Sequence, residues 1–211
     1  MENFKVISHP LIRHKLAVLR NKETTPKTFK AIIGEIATVM SYEALGDLQT
    51  KEIDIVTPIC ATKAEEISDE IVFVPILRAG LGMVEGVRDL VPFAHIGHIG
   101  LYRDESTLRP MEYYCKLPAC IADSRVLILD PMLATGGSAV AAVQMIKDRG
   151  CKSISFLSII ASKEGVNTLL TAHPDVMLYC AGLDEKLNEI GYIVPGLGDA
   201  GDRIFGTEVE N

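Results

Sequence analysis

Residues 125–150 read RVLILDPMLATGGSAVAAVQMIKDRG. The hydrocarbon run Val126-Leu127-Ile128-Leu129 gives way to a single carboxylate at Asp130. Pro131, Met132, Leu133 and Ala134 then lead through Thr135-Gly136-Gly137-Ser138 into a segment with helical character. A strand that ends in an acid, followed by a glycine-rich entry into a helix, has the parts of an anion cradle. The first N–H groups of a helix lack intrahelical partners and sit at the positive end of its dipole. Gly136 and Gly137 let a phosphate approach the backbone without a Cβ in the way, while Thr135 and Ser138 add hydroxyl donors. A capped helix, with Thr135 or Ser138 as N-cap and the glycines in a tight turn, would draw on the same residues. Asp130 tips the reading toward a sugar phosphate: its carboxylate can hold ribose hydroxyls or a hydrated Mg²⁺ while the loop takes the phosphate. The stretch contains neither G-x-x-x-x-G-K-[ST] nor G-x-G-x-x-G, which removes two commoner nucleotide motifs.

Three other stretches carry groups that could act beside it. VPILRAGLG (74–82) ends a strand and opens a helix, so Arg78 leaves the same sheet edge as Asp130. By itself Arg78 reads equally well as a surface arginine lying over apolar neighbours. LYRDESTLRPMEYY (101–114) is a charged loop between two strands, with Arg103 and Arg109 among acids; as a bare pattern it is a solvated hairpin tip. GYIVPGLGDAGDRIFGT (191–207) holds five glycines yet keeps apolar groups at both ends, unlike a disordered tail. Such an ordered loop can present its own N–H and C=O groups, around Ile193, Gly198 and Ala200, to a flat polar ligand.

The elements that must position these groups follow from periodicity. Leu11, Ile12, Leu16 and Leu19 after Pro10 predict a helix over 10–20, and Phe29, Ile32, Ile33, Ile36, Val39 and Met40 a second one from Thr25-Pro26. From residue 71 short apolar strands alternate with helices: strands at 71–76, 94–102, 111–117, 125–129, 153–160 and 176–180, helices at 80–90, 137–149 and 163–171. Strands without polar alternation are buried on both faces, which predicts an α/β fold with a mostly parallel sheet flanked by helices. The chain reads as a single domain, 1–211, with a helical flank at 1–45, a core sheet at 71–180 and a C-terminal segment at 181–211. Ligands then belong at the carboxyl ends of the strands.

Composition bounds the rest. The 211 residues suffice for a substantial core. Twenty-one basic against 28 acidic residues give −7, which argues against a general nucleic-acid or anionic-membrane surface. No apolar run is long enough to cross a bilayer and the first residues lack a signal-peptide core, so the expectation is a soluble, cytoplasmic chain. Cys60, Cys115, Cys120, Cys151 and Cys180 are scattered and odd in number, and read as reduced thiols. The five histidines form no metal motif and receive no catalytic task.

VLILDPMLATGGSA resembles the 5-phosphoribosyl-1-pyrophosphate (PRPP) signature of type I phosphoribosyltransferases, in the form of the uracil phosphoribosyltransferase family. The likeness extends from SHPLIRHKL near the start to DRIFGT near the end, with three separated motifs in order. Most type I relatives have two adjacent acids where this chain has Asp130-Pro131; losing one is typical of the uracil branch. The resemblance implies transfer of the phosphoribosyl group of PRPP to uracil, giving UMP and diphosphate in pyrimidine salvage. It implies residues 130–138 and Arg78 as PRPP ligands. Arg103 would be brought to the pyrophosphate by a flexible hairpin hood, with Arg109 a weaker candidate. Ile193, Gly198, Asp199 and Ala200 would line the uracil site in a Gly-rich base-binding segment at 181–211, Asp199 also approaching the ribosyl substrate. Mg²⁺ is the implied cofactor, held mainly by PRPP and water with no direct protein ligand assigned. A GTP effector and a homodimer or homotetramer are implied as well. Rival readings are transfer to another base, a phosphoribosyl-binding RNA regulator, against which the net charge counts, and a structural protein with a relic site that binds the donor without turnover.

Overall fold

The computed structural model describes residues 3–103 and 110–207. After an edge strand β1 (Phe4–Val6), two helices follow, α1 (Pro10–Arg20) and α2 (Pro26–Ala44). Both begin at a proline, whose missing N–H costs nothing in the first turn. His9 caps α1 by accepting from Leu11 N, and Thr25 caps α2 by accepting from Thr28 N. A hairpin of β2 (Thr50–Val56) and β3 (Ala61–Ile67) comes next, then β4 (Ile71–Leu77) and α3 (Leu81–Leu90). The chain continues through β5 (His95–Ile96), β6 (His98–Arg103), β7 (Pro110–Lys116), a 3-10 turn (Ala119–Asp123), β8 (Arg125–Leu129) and β9 (Met132–Leu133). It ends with α4 (Gly137–Lys147), β10 (Ser153–Ser162), α5 (Lys163–Ala172), β11 (Met177–Asp184), β12 (Lys186–Leu187), β13 (Ile193–Val194) and α6 (Ala200–Phe205).

The main sheet runs β1-β11-β10-β8-β4-β6-β7, with β5 on β4 and β9 on β10. All its pairings are parallel except β6 with β7. Successive residues alternate between two cores. Ile71, Phe73, Leu127, Leu129 and Leu157 pack with α1, α2 and α3 on one face. Val72, Val74, Val126, Ile128, Ile154 and Phe156 pack with α4 and α5 on the other. This double burial explains the unbroken apolar runs, each fully buried large side chain contributing about 1.5–3 kcal/mol. It also leaves the strand ends as the place for polar work.

The sequence-based elements fall within a few residues of the observed ones. Three features lie beyond them. The main sheet reaches outside 71–180, because β1 pairs with β11 (Phe4↔Leu178) and β11 extends to Asp184. The β2–β3 hairpin occupies a stretch given no element by the sequence, and the predicted strand over 94–102 is divided at Gly97. Gly97 N donates to Phe73 O at 2.9 Å, and a Cβ there would come within 2.6 Å of Leu117.

Candidate active site

Strands β4 and β8 are parallel neighbours, registered Pro75↔Leu129, so their carboxyl ends deliver Arg78 and Asp130 to one edge. Gly80 allows the two exits to approach, since a Cβ on it would lie 2.4 Å from Leu129 O. The Leu77–Arg78 peptide bond preceding this turn is cis, as is Val194–Pro195 in the C-terminal segment.

The loop after β8 is held from behind. Gly136, the residue before α4, has φ +87°, a left-handed conformation suited to glycine. A Cβ on Gly136 would also meet Thr168 at 2.9 Å. Ser162, the N-cap of α5, donates from Oγ to Ala134 O at 2.6 Å and accepts from Gly165 N at 2.8 Å. Gly165 lies against the loop so closely that a Cβ would be 2.5 Å from Ala134 O and 2.6 Å from Leu133 O. Thus the start of α5 fixes the carbonyls of the loop. Val140 N already bonds Gly136 O, so the helix amides that precede it, at 137–139, are left to face an incoming anion.

A cavity of about 280 Å³ opens at this point. Its lining joins Asp130 and the continuous stretch 132–139 to Ile190, Gly191, Tyr192, Ile193 and Asp199. The second group arrives through pairing of β12 with β13, Leu187 opposite Ile193, which folds the C-terminal segment over the loop. The wall is therefore half the loop from β8 into α4 and half glycine-rich turn. Ligand-sized sites of this mixed lining are typical of small-molecule recognition.

Electrostatics distinguish the two carboxylates. Asp130 is partly accessible at the cavity but ringed by protein, and that burial pushes its pKa up to about 7. A long hydrogen bond from Met132 N, 3.4 Å, offsets this only in part. Asp199 is engaged as the N-cap of α6, accepting from Asp202 N at 2.9 Å. Burial, then the charges of Asp199 and Asp202, push the Tyr192 phenol above its ordinary value.

The predicted site residues divide as follows. Asp130, Met132, Leu133, Ala134, Thr135, Gly136, Gly137, Ser138, Ile193 and Asp199 share the cavity. Pro131 is buried beneath it, its carbonyl accepting from Ile160 N at 3.0 Å. Gly198 and Ala200 flank Asp199 without lining the cavity, Ala200 being buried as the first residue of α6. Arg78 is exposed outside the lining, its Nη2 3.2 Å from Asp202 Oδ1. Arg103 ends β6, its side chain outside the described residues, and Arg109 lies outside them altogether. Ile190, Gly191 and Tyr192 are cavity residues that the sequence reading did not assign. Their signal was Gly191-Tyr192 at the head of the glycine-rich stretch, but their approach depends on the β12–β13 pairing.

A loop for phosphate opposite a turn for a flat polar ligand is what a phosphoribosyltransferase requires, and relatives carry the comparison further. The uracil phosphoribosyltransferase of Acholeplasma laidlawii (strain PG-8A) is 56% identical over 208 residues, 99% of this chain and 100% of the relative. A solved structure of the AQ2163 protein from Aquifex aeolicus superposes with a TM-score of 0.93 at 38% identity, covering 98% of this chain and 100% of that one. The hypoxanthine-guanine phosphoribosyltransferase of Bacillus anthracis, 12% identical with TM-score 0.53 over 75% of this chain and 80% of its own, shares the fold. A model of the family described as uracil phosphoribosyltransferase matches residues 6–207, nearly the full length. With the signature loop, the sheet and this full-length match in agreement, the chain belongs to the uracil phosphoribosyltransferase family.

Proposed function

We infer that this chain transfers the 5-phosphoribosyl group of PRPP to N1 of uracil, forming UMP and diphosphate. The observation that carries the reading is the cavity shared by Asp130 and 132–139 with Ile190–Ile193 and Asp199. The loop amides and the hydroxyls of Thr135 and Ser138 take the 5-phosphate, and the Asp130 carboxylate accepts from ribose hydroxyls. Held there, the donor faces the base turn, so an encounter of two substrates becomes an aligned attack. Uracil offers an acceptor–donor–acceptor edge, which main-chain groups near Ile193 and Gly198 complement. Cytosine would place a donor against a donor, a buried mismatch that gives strong discrimination.

The displacement develops positive charge on the ribosyl carbon and negative charge on pyrophosphate. Arg78, released from Asp202, and Arg103, carried by the hood, are the cations assigned to the leaving group. Asp199, on the wall of the same cavity, is assigned to the ribosyl centre. The donor set fits Mg²⁺ only in a restricted sense: Asp130 is reluctant to ionise and Asp199 is occupied as a cap. The ion would be held chiefly by PRPP oxygens and water beside Asp130, as Mg²⁺ accepts. It would supply neutralisation of the pyrophosphate charge.

Among the described residues no helix is long and apolar enough to cross a membrane. The cysteines stand as free thiols, in keeping with a reducing cytoplasm. Self-association into a homodimer or homotetramer is part of the proposal, with the β2–β3 hairpin as its contact. The test is a panel of uracil, cytosine, hypoxanthine and orotate with PRPP, following pyrophosphate release with and without Mg²⁺ and GTP. Turnover on uracil at least a hundredfold above the others is expected; equal turnover on another base overturns the assignment.

A further inference from the structure

The base turn is not self-supporting. Between the cavity residues Ile193 and Asp199 the chain passes through cis-Pro195 to Gly196, which has φ +63°. Gly196 folds back so far that a Cβ would lie 2.1 Å from Ile193 O. Its N–H donates to Asp184 Oδ2 at 3.0 Å and its carbonyl accepts from Arg20 Nη1 at 2.7 Å. Arg20 also grips Asp184 with both forks, Nη1 to Oδ2 at 2.8 Å and Nη2 to Oδ1 at 2.7 Å. The two main-chain groups of one residue are therefore held by the two members of one ion pair. Asp184 is the last residue of β11, its side chain only 7% exposed, and Arg20 is the last of α1, 28% exposed. A second arginine reinforces the joint. Arg203 donates to Leu197 O and to Asn21 O, both at 2.7 Å, and its guanidinium lies 4.2 Å over the Phe29 ring.

None of these four groups lines the cavity. We propose that Arg20 and Asp184 are a positioning pair for base recognition, fixing through Gly196 the main-chain edge that reads uracil. This rests on the uracil-transfer reading above. The phosphate loop is held through different side-chain contacts, Ser162 Oγ to Ala134 O and the close approach of Gly165. Ser162 is the register partner of Asp184, but only through the strand backbone, and the lining runs through none of the clamp residues. Disturbing the clamp should therefore weaken and blur base binding while leaving PRPP binding in place. A bidentate fork is needed because Arg20 must serve Asp184 and Gly196 O together; a lysine has one ammonium head and cannot match that planar geometry.

The experiment compares wild type with Arg20→Lys, Arg20→Ala and Asp184→Asn. PRPP dissociation constants come from calorimetry, and uracil KM, kcat and the uracil-to-cytosine kcat/KM ratio from pyrophosphate release. Folding is checked in each by thermal melting, and Arg20→Lys preserves the charge if Arg20→Ala does not fold. Expected are a uracil KM raised about tenfold or more, a PRPP dissociation constant within about twofold, and a narrowed uracil preference. Millimolar guanidinium should restore much of the uracil KM in Arg20→Ala. An unchanged uracil KM, or equal weakening of both substrates, overturns the pairing's role. Wild type that binds PRPP but turns over no uracil instead overturns the parent reading, so the two failures are distinguishable.

Discussion

A single carboxylate carries an unusual amount of the site's chemistry. Asp130 emerges at the end of the buried strand β8, between β4 and β10, and burial lifts its pKa from 3.8 to about 7. If the ionised carboxylate is the donor's acceptor, as proposed, the PRPP dissociation constant should rise roughly tenfold between pH 8 and pH 6. Calorimetry across that range checks this, with Asp130→Asn expected to be weak and nearly flat. The same shift acts on stability with a definite sign. The folded state holds a proton between pH 3.8 and about 7 that the unfolded state has released, so this group's stabilising contribution is complete below 3.8 and is lost as pH rises through 7. At pH 8 the charged carboxylate is thus a cost. Asp130→Asn should melt higher than wild type there, by roughly 2–4 °C for each kcal/mol relieved. Near pH 4 the gain should vanish; an equal gain at both pH values would show that ionisation is not its cause.

At the scale of elements, α5 makes the phosphate loop possible. Its first turn abuts the loop at Gly165, where even a methyl group would clash with two carbonyl oxygens. Gly165→Ala must push residues 133–134 outward and disturb the amides of 137–139. PRPP binding should fall at least tenfold by calorimetry, with about 1–3 kcal/mol lost in denaturant unfolding. Unchanged PRPP affinity would show that the loop is held elsewhere. No reading of 130–138 points to Gly165, which is why the supports of the site were less legible than its ligands. The cradle itself was readable because Asp130, the glycines and the hydroxyls lie within nine residues. Ile193 was reached through the glycine-rich stretch and Asp199 through the family resemblance, whereas Ile190–Tyr192 depend on two-residue strands too short to show a period. The strand β1 was missed for a related reason: three residues take their identity from a partner about 170 positions away. Hairpin β2–β3 differs, since Ile53 and Ile55 alternate with polar residues before Thr57-Pro58, and a period-two signal was present.

For the molecule as a whole, that hairpin is the part whose folding the rest of the chain explains least. Among the described residues its strands pair only with each other, in register from Thr50↔Ile67 to Val56↔Ala61. A two-stranded ribbon alone is marginal in water. One face carries charge, with Lys63 bridging Glu52 and Asp54 at 3.0 Å each. The other carries Ile53, Ile55 and Ala64 in a stripe, and the turn exposes Val56 (82%) and Ile59 (91%). Surface ion pairs contribute little, so the apolar face is what needs covering. A second copy supplies it most economically, because a two-fold contact lets each arm cover the other's patch. Sedimentation at micromolar concentration should then give a dimer or tetramer for the wild type. Ile55→Lys should shift it toward monomer by at least tenfold in dissociation constant, with the main-sheet core unaffected in its secondary-structure signal. A monomeric wild type, or an Ile55→Lys protein that assembles as tightly as the parent, would remove the hairpin as the contact and require the arm to stand on its own cross-strand pairs.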